Sequence, residues 1–203
     1  MVSLKRLSGI MENPTAYRLW QSPFARTKFA PVLRHNDLTS VRRVLDVGCG
    51  PGTNAPFFTA VDYTGLDINE NYVRTARRRH RREFFAADAC TYEPDDGQRF
   101  DFVLLNSLLH HIDTPNVARI LRQLTRQLTD DGHIHVLELV LPAERGLPRL
   151  LAKSDRGDYP RPLDEWRELF TVDYDEVVFE PYTVGRLGIA FFEMVYFKGR
   201  AKR

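Results

Sequence analysis

An apolar strand that runs straight into three closely spaced glycines, Val44-Leu45-Asp46-Val47-Gly48-Cys49-Gly50-Pro51-Gly52, constrains this chain more than any other feature. Glycine has no Cβ, so such a loop lets a bound molecule approach the main chain closely. A second short strand, Val61-Asp62-Tyr63-Thr64-Gly65-Leu66-Asp67, ends in a carboxylate. Its distance downstream is about that of the ribose-binding acid in a dinucleotide fold. Together the two landmarks point to a nucleoside-binding α/β chain. The glycine spacing, however, is G-x-G-x-G and not the dinucleotide G-x-G-x-x-G.

The rest of the sequence alternates in the way a parallel sheet requires. Residues 43–47, 62–67, 83–87, 100–105 and 133–140 are short apolar runs separated by helical or loop segments, the pattern of repeated βαβ units. The clearest helix begins at Thr114, with Pro115 in its first turn. Its apolar stripe comprises Val117, Ile120, Leu121, Leu124 and Leu128, and Asp130-Asp131-Gly132 is expected to end it. Two later runs, 175–183 and 189–198, are rich in β-branched and aromatic residues and are joined through Gly185 and Gly188, as a closing antiparallel pair would be. With no linker, repeat or low-complexity stretch, the 203 residues read as one domain: an N-terminal helical extension over 1–40 and a core over 41–203.

Composition narrows the partners. A chain of this length buries roughly 70% of its unfolded surface without staples. Its two cysteines, Cys49 and Cys90, suit a reducing compartment better than a disulfide framework. Neither a cleavable leader nor an apolar run of about 18 residues is present, so the expectation is a soluble, cytoplasmic protein with no membrane partner. A net charge of +2 does not call for a polyanion.

The strand-acid-glycine loop at Asp46, Gly48, Gly50 and Gly52 resembles the first motif of the class I S-adenosylmethionine-dependent methyltransferases, and the antiparallel ending matches that family too. The resemblance covers about residues 40–140 well and the remainder in outline. It implies a Rossmann-like, seven-stranded, mostly parallel sheet with an antiparallel final strand and helices on both faces, and S-adenosylmethionine as cofactor. In such enzymes the glycine loop carries the methionine part, and Asp46 would support that loop or the ammonium. Asp67 would accept from the ribose hydroxyls; the alternative is an N-cap for the helix beyond Asn69. Ile68 would pack on the adenine face. Asp88, flanked by Ala89, would accept from the adenine amino group, or else simply serve a turn. Asn106, at the end of the fourth strand, would stand between cofactor and acceptor.

The segment after Asn106 reads Ser107-Leu108-Leu109-His110-His111. It lacks the Asn/Asp-Pro-Pro-aromatic pattern of base-amino methyltransferases, the paired acids of protein-arginine methyltransferases and the acidic metal ligands of catechol-type enzymes. The resemblance therefore points to a small-molecule acceptor with no metal. Imidazole exchanges protons near neutral pH, which makes His111, with His110 beside it, the candidate base for an acceptor hydroxyl; in the competing reading one or both merely cap the helix or pack under the cofactor. The arginine run over 74–82 reads as a solvated helix face, with Glu70 four residues before Arg74, in preference to a nucleic-acid surface. In the extension, Tyr17, Trp20, Phe24 and Lys28 recur near helical spacing and suit either a lid over the cofactor, with Tyr17 touching it, or plain core. Residues 155–161, containing Asp-Arg-Gly, are placed at the rim of the acceptor pocket. Oligomeric state has no signature in the sequence.

Overall fold

A computed structural model describes residues 25–94, 97–154, 157–186 and 188–203. Seven strands form one sheet: β1 (Arg43–Val47), β2 (Asp62–Asp67), β3 (Glu83–Ala86), β4 (Phe100–Asn106), β5 (Leu128–Leu139), β6 (Tyr174–Arg186) and β7 (Ile189–Ala201). Their order across the sheet is β3-β2-β1-β4-β5-β7-β6. The pairs from β3 through β5 are all parallel, and β7 lies antiparallel between β5 and β6. This is the architecture that the resemblance implied.

Alternation along the strands sends successive side chains to opposite faces. Leu45, Val47, Val103, Leu105, Ile134 and Val136 join one buried cluster, under α3 (Thr114–Thr125) and α5 (Leu163–Asp173), where Val117, Ile120, Trp166 and Phe170 complete it. Val44, Phe102, Leu104 and Leu137 join the other, under α1 (Ala25–His35) and α2 (Glu70–Arg79), with Phe29, Val32, Val73 and Ala76. Both faces of a largely parallel sheet are thus covered, as its near-continuous apolar strands require.

Helix boundaries follow local chemistry. Asp113 caps α3 by accepting from the Asn116 N–H at 2.9 Å, and Asn69 caps α2 by accepting from the Asn71 N–H at 2.9 Å. Asn69, and not Asp67, is therefore the cap of α2. Two sequence expectations are corrected by pairing. Helix α3 ends at Thr125, and Leu128, assigned to its apolar stripe, is the first residue of β5, where it pairs with Phe100. The turn to Asp130-Asp131-Gly132 that was expected to stop the helix lies inside the same strand. A short helix α4 (Leu147–Ser154) packs on β7. No helix among the described residues is long and apolar enough to cross a membrane.

Candidate functional site

Strand order reverses between β1 and β4, because β2 and β3 extend the sheet on one side of β1 while β4 and β5 extend it on the other. The loops leaving β1 and β4 consequently splay apart at the carboxyl edge, which is where open α/β sheets bind ligands. A cavity of about 270 Å³ opens there, walled by residues 48–54 on the β1 side, Asn106 and Ser107 on the β4 side, and Ala25 and Lys28 from α1.

The glycine loop takes backbone that side chains resist: φ is +72° at Gly48, +53° at Gly50 and +80° at Gly52. The three positions serve different ends. A Cβ on Gly48 would strike the Leu108 side chain at 2.8 Å, and one on Gly52 would strike the His80 ring at 2.7 Å. A Cβ on Gly50 would meet nothing within 4 Å. Gly48 and Gly52 are packing requirements, whereas Gly50 keeps open the space against which a ligand can lie.

Asp46 is fully buried beneath the loop, where Asn54 Nδ2 donates to both its oxygens at 3.2 Å and the Tyr63 hydroxyl donates to Oδ2. It does not line the cavity, and its hydrogen bonds tie β1 to Asn54 of the loop and to Tyr63 of β2. Burial raises the Asp46 carboxyl to about 7 against the downward pull of the Tyr63 and Asn54 hydrogen bonds. From Asn54 the network continues upward: Asn106 Nδ2 donates to Asn54 Oδ1 at 2.9 Å, joining the two loops across the crevice.

Asp67 sits half-buried at the end of β2. Its Oδ2 accepts from the Gly50 N–H and its Oδ1 from the Asn69 N–H, each at 2.8 Å. Burial raises its carboxyl, while these two donors act in the opposite direction. Each oxygen retains a lone pair for a further donor. Ile68 beside it is 78% exposed. Asp88 is exposed beyond β3 and accepts from the Cys90 N–H at 2.8 Å in a turn, while Ala89 packs half-buried against the α3 side of the core. Tyr17 lies outside the described residues.

The chain leaving β4 holds the histidines on one 3₁₀ turn, Leu109–His111. His110 is 2% exposed and its Nδ1 lies on Oε1 of Glu138, a fully buried residue of β5. Glu138 also accepts from the N–H groups of Leu139 at 2.8 Å and Leu109 at 2.7 Å. Burial alone would raise the Glu138 carboxyl, but His110 and these two amides together hold it below the usual glutamate range. His111 is exposed, and its ring lies 4.1 Å from that of His110 between centroids.

Residues 157–161 clasp this turn. The Tyr159 N–H donates to the His110 carbonyl at 3.0 Å, and a Cβ on Gly157 would overlap the His110 ring at 2.2 Å. Arg161, buried, donates to the carbonyls of Leu109 and Ile112 and to Thr114 Oγ1, with its guanidinium over Trp166 and its Nε 3.2 Å from Glu165. Asp155 and Arg156 of the same segment lie outside the described residues.

The arginine run is partly structural. Arg77 Nε donates to the Phe84 carbonyl at 2.8 Å, and Arg82 to those of Val61, Phe58 and Thr59, fastening the end of α2 to the sheet. Glu138 and Arg161 had no assigned part in the sequence reading. The available signal for Glu138 was a lone carboxylate inside the apolar run 134–139; Arg161 had none, since its partners are the carbonyls of a distant turn.

Residues 44–132, which span the glycine loop, Asp67, Asp88, Asn106 and the histidine turn, match the family described as a methyltransferase domain. The chain thus carries a methyltransferase domain, and its relatives and fold support a class I S-adenosylmethionine-dependent methyltransferase. It is 32% identical over 118 residues to the phthiotriol/phenolphthiotriol dimycocerosates methyltransferase of Mycobacterium leprae, covering 53% of this chain and 43% of that one. It is 30% identical over 142 residues to the trans-aconitate 2-methyltransferase of Variovorax paradoxus, covering 67% and 52%. The chain thus spans about half the length of the curated relatives it matches. Its fold superposes on the N-methyltransferase NodS from Bradyrhizobium japonicum, solved with S-adenosyl-L-homocysteine, with a TM-score of 0.75 over 98% of each chain at 17% identity.

Proposed function

We propose that this methyltransferase domain moves the methyl group of S-adenosylmethionine to a hydroxyl oxygen of a small-molecule acceptor. The carrying observation is the crevice at the reversal between β1 and β4: the open Gly50 face and Asn106 line it, Asp67 accepts from the Gly50 N–H, and Leu108, which leads into the histidine turn, packs on Gly48. The residues suit the cofactor. Gly50 leaves room for the methionine chain, Asp67 offers lone pairs to the ribose hydroxyls, and exposed Ile68 offers a face for the adenine, with Asp88 and Ala89 at its edge.

The bound cofactor supplies an electrophilic methyl whose carbon–sulfur bond breaks as the carbon–oxygen bond forms, sulfur keeping the electron pair. The protein's part is to hold the acceptor in line, which supplies much of the acceleration, and to take the hydroxyl proton. His111 is the exposed imidazole for that proton. His110 beneath it is fixed by Glu138 and the 157–161 clasp and gives His111 a rigid support. Two relatives are named for acting on small molecules, a lipid and a tricarboxylate. The use of Arg77 and Arg82 as backbone staples leaves fewer guanidiniums for a phosphate surface, which also favours a small acceptor over RNA.

The test is release of demethylated cofactor across phenolic and hydroxylated small molecules, with an RNA pool and a protein extract in parallel. With a responding acceptor, His111→Ala should lower turnover by roughly 10²–10⁴ at nearly unchanged cofactor affinity, and wild-type turnover should fall as acid protonates the imidazole. Signal only from a macromolecular pool refutes the acceptor class. Loss of activity in step with loss of cofactor affinity refutes the base.

A further inference from the structure

A second recess lies at the amino edge of the sheet, the end opposite the glycine loop. The starts of β1, β4 and β5, the end of β7 and the last turn of α1 enclose a cavity of about 980 Å³ there. His135 of β5, 1% exposed, stands at its floor. The Phe102 ring stacks on the imidazole at 3.7 Å between centroids, and the Tyr196 ring lies near-parallel at 6.2 Å, which fixes the plane of the ring. A relay also fixes its hydrogen. Asn36 Nδ2 donates to the Val32 carbonyl at 2.8 Å and to the Tyr196 hydroxyl at 2.9 Å, and that hydroxyl lies 2.9 Å from His135 Nδ1. Already accepting from Asn36, the hydroxyl gives its own proton to Nδ1, and the neutral imidazole keeps its hydrogen on Nε2. Nε2, across the ring from that hydroxyl, has no partner among the described residues and is not sealed from the cavity.

The surroundings of that nitrogen are cationic. Lys198 of β7 stands directly across from His135 in the ladder, and the ring of His133, two residues back on the same face, lies 6.3 Å from that of His135. Lys198 is half-buried, and its ammonium has no acceptor among the described residues. Burial, with the charges of Lys198 and His133 added to it, holds the His135 imidazole well below its usual value. Burial and Arg200 lower Lys198; burial, Lys198 and Arg200 lower His133 against a weaker pull from Asp131. Each group thus resists carrying its charge for want of a close anion. The aspartates of the recess are engaged elsewhere. Asp101 accepts from the Arg42 and Arg43 N–H groups and Asp37 from that of Thr39, while Asp62 and Asp130 pair with Arg43 and Arg203. Asp131 is exposed at the rim, and Arg42 and Arg99 add two further cations to the wall.

We propose that this recess binds a tetrahedral oxyanion, a phosphate group either free or carried by a small molecule, with His135 Nε2–H donating from the floor and His133 and Lys198 donating from the walls. A dianion there gives an acceptor to a buried donor that otherwise has none, and it relieves the mutual repulsion of the basic groups around it. Its hydrogen bonds are charge-assisted, so each is worth about 10- to 100-fold in affinity. Because the recess and the glycine loop lie at opposite ends of the strands, the inference stands apart from the cofactor and acceptor readings above.

Nuclear magnetic resonance of the whole chain with nitrogen-labelled histidines tests this, titrating with inorganic phosphate and with glycerol 3-phosphate against chloride at equal ionic strength. Phosphate should shift the ring signals of His133 and His135, leave those of His110 and His111 in place, and bind with a Kd below about 1 mM. Tighter binding of glycerol 3-phosphate marks a phosphorylated small molecule as the occupant, and equal or weaker binding marks free phosphate. Lys198→Met should weaken binding by about 10- to 100-fold, with Lys198→Arg retaining most of it. His135→Phe keeps a stacked ring and removes the floor donor, so binding should be lost; if that variant fails to fold by circular dichroism, His133→Gln carries the test with a loss of about 3- to 10-fold. Ring signals that do not move, that move equally with chloride, or an affinity that survives Lys198→Met overturn the site.

Discussion

Replacing Glu138 with glutamine removes a charge and almost no volume, which isolates the electrostatic role of the buried dyad. The carboxylate serves three donors: His110 Nδ1, the Leu139 N–H at 2.8 Å and the Leu109 N–H at 2.7 Å. A glutamine has one acceptor oxygen. Turned toward Leu109 it sets its NH₂ against the Leu139 amide, and turned toward Leu139 it sets it against the Leu109 amide, so one buried N–H loses its acceptor in either orientation. An unsatisfied buried donor costs about 1–3 kcal/mol, and removing one partner of a buried ion pair costs about 3–5 kcal/mol. Glutamine retains part of the bonding, so the expected loss is about 3 kcal/mol. With a urea dependence of about 2 kcal/mol/M, the unfolding midpoint should fall by about 1.5 M; Tm should fall by about 6–12 °C.

The same substitution has a pH signature. The folded Glu138 carboxyl is held below the usual glutamate value of 4.5, so its contribution is complete above that value and is lost as pH falls through the lower folded one. The midpoint gap between wild type and Glu138→Gln should therefore close as the pH falls below 4.5. A variant within about 0.3 M of the wild-type urea midpoint at pH 7, or a gap that widens toward acid, would refute the reasoning.

Gly50→Ala places a methyl in open space, at the cost of left-handed backbone of about 1–2 kcal/mol. The protein should stay folded by circular dichroism while S-adenosyl-L-homocysteine binding by calorimetry is lost; unchanged affinity would mean that the glycine serves the turn alone. Asp46 should show the opposite pH trend to Glu138. With its folded carboxyl raised from 3.8 to about 7, the native state holds a proton that the unfolded chain has released. Relative to Asp46→Asn, wild-type stability should thus decline across about pH 4 to 7, by up to about 4 kcal/mol, and level off above. A pH-independent difference between their urea midpoints would count against a protonated Asp46.

What could be read in the linear chain was what its own neighbours enforce. Alternation made the seven strands visible, the three glycines marked a loop whose backbone side chains would strain, and the carboxylate closing β2 sat at the spacing a ribose demands. The limit of local reading shows at Leu128, four residues beyond Leu124 and so on a helical stripe by spacing, yet taken into β5 because Phe100 offers it a strand partner. Nothing local marks Lys28 for Ser107, 79 residues away, His110 for Glu138, 28 away, or Arg161 for the Leu109 carbonyl, 52 away. Asp46 finds its donors in Asn54 and Tyr63 only because β2 and the Asn54 turn close over it. These charges and amides acquire partners only when the sheet gathers the carboxyl ends of its strands, because the cost of burying a polar group is met by whichever donor or acceptor folding brings within reach, and proximity in sequence does not determine which that will be.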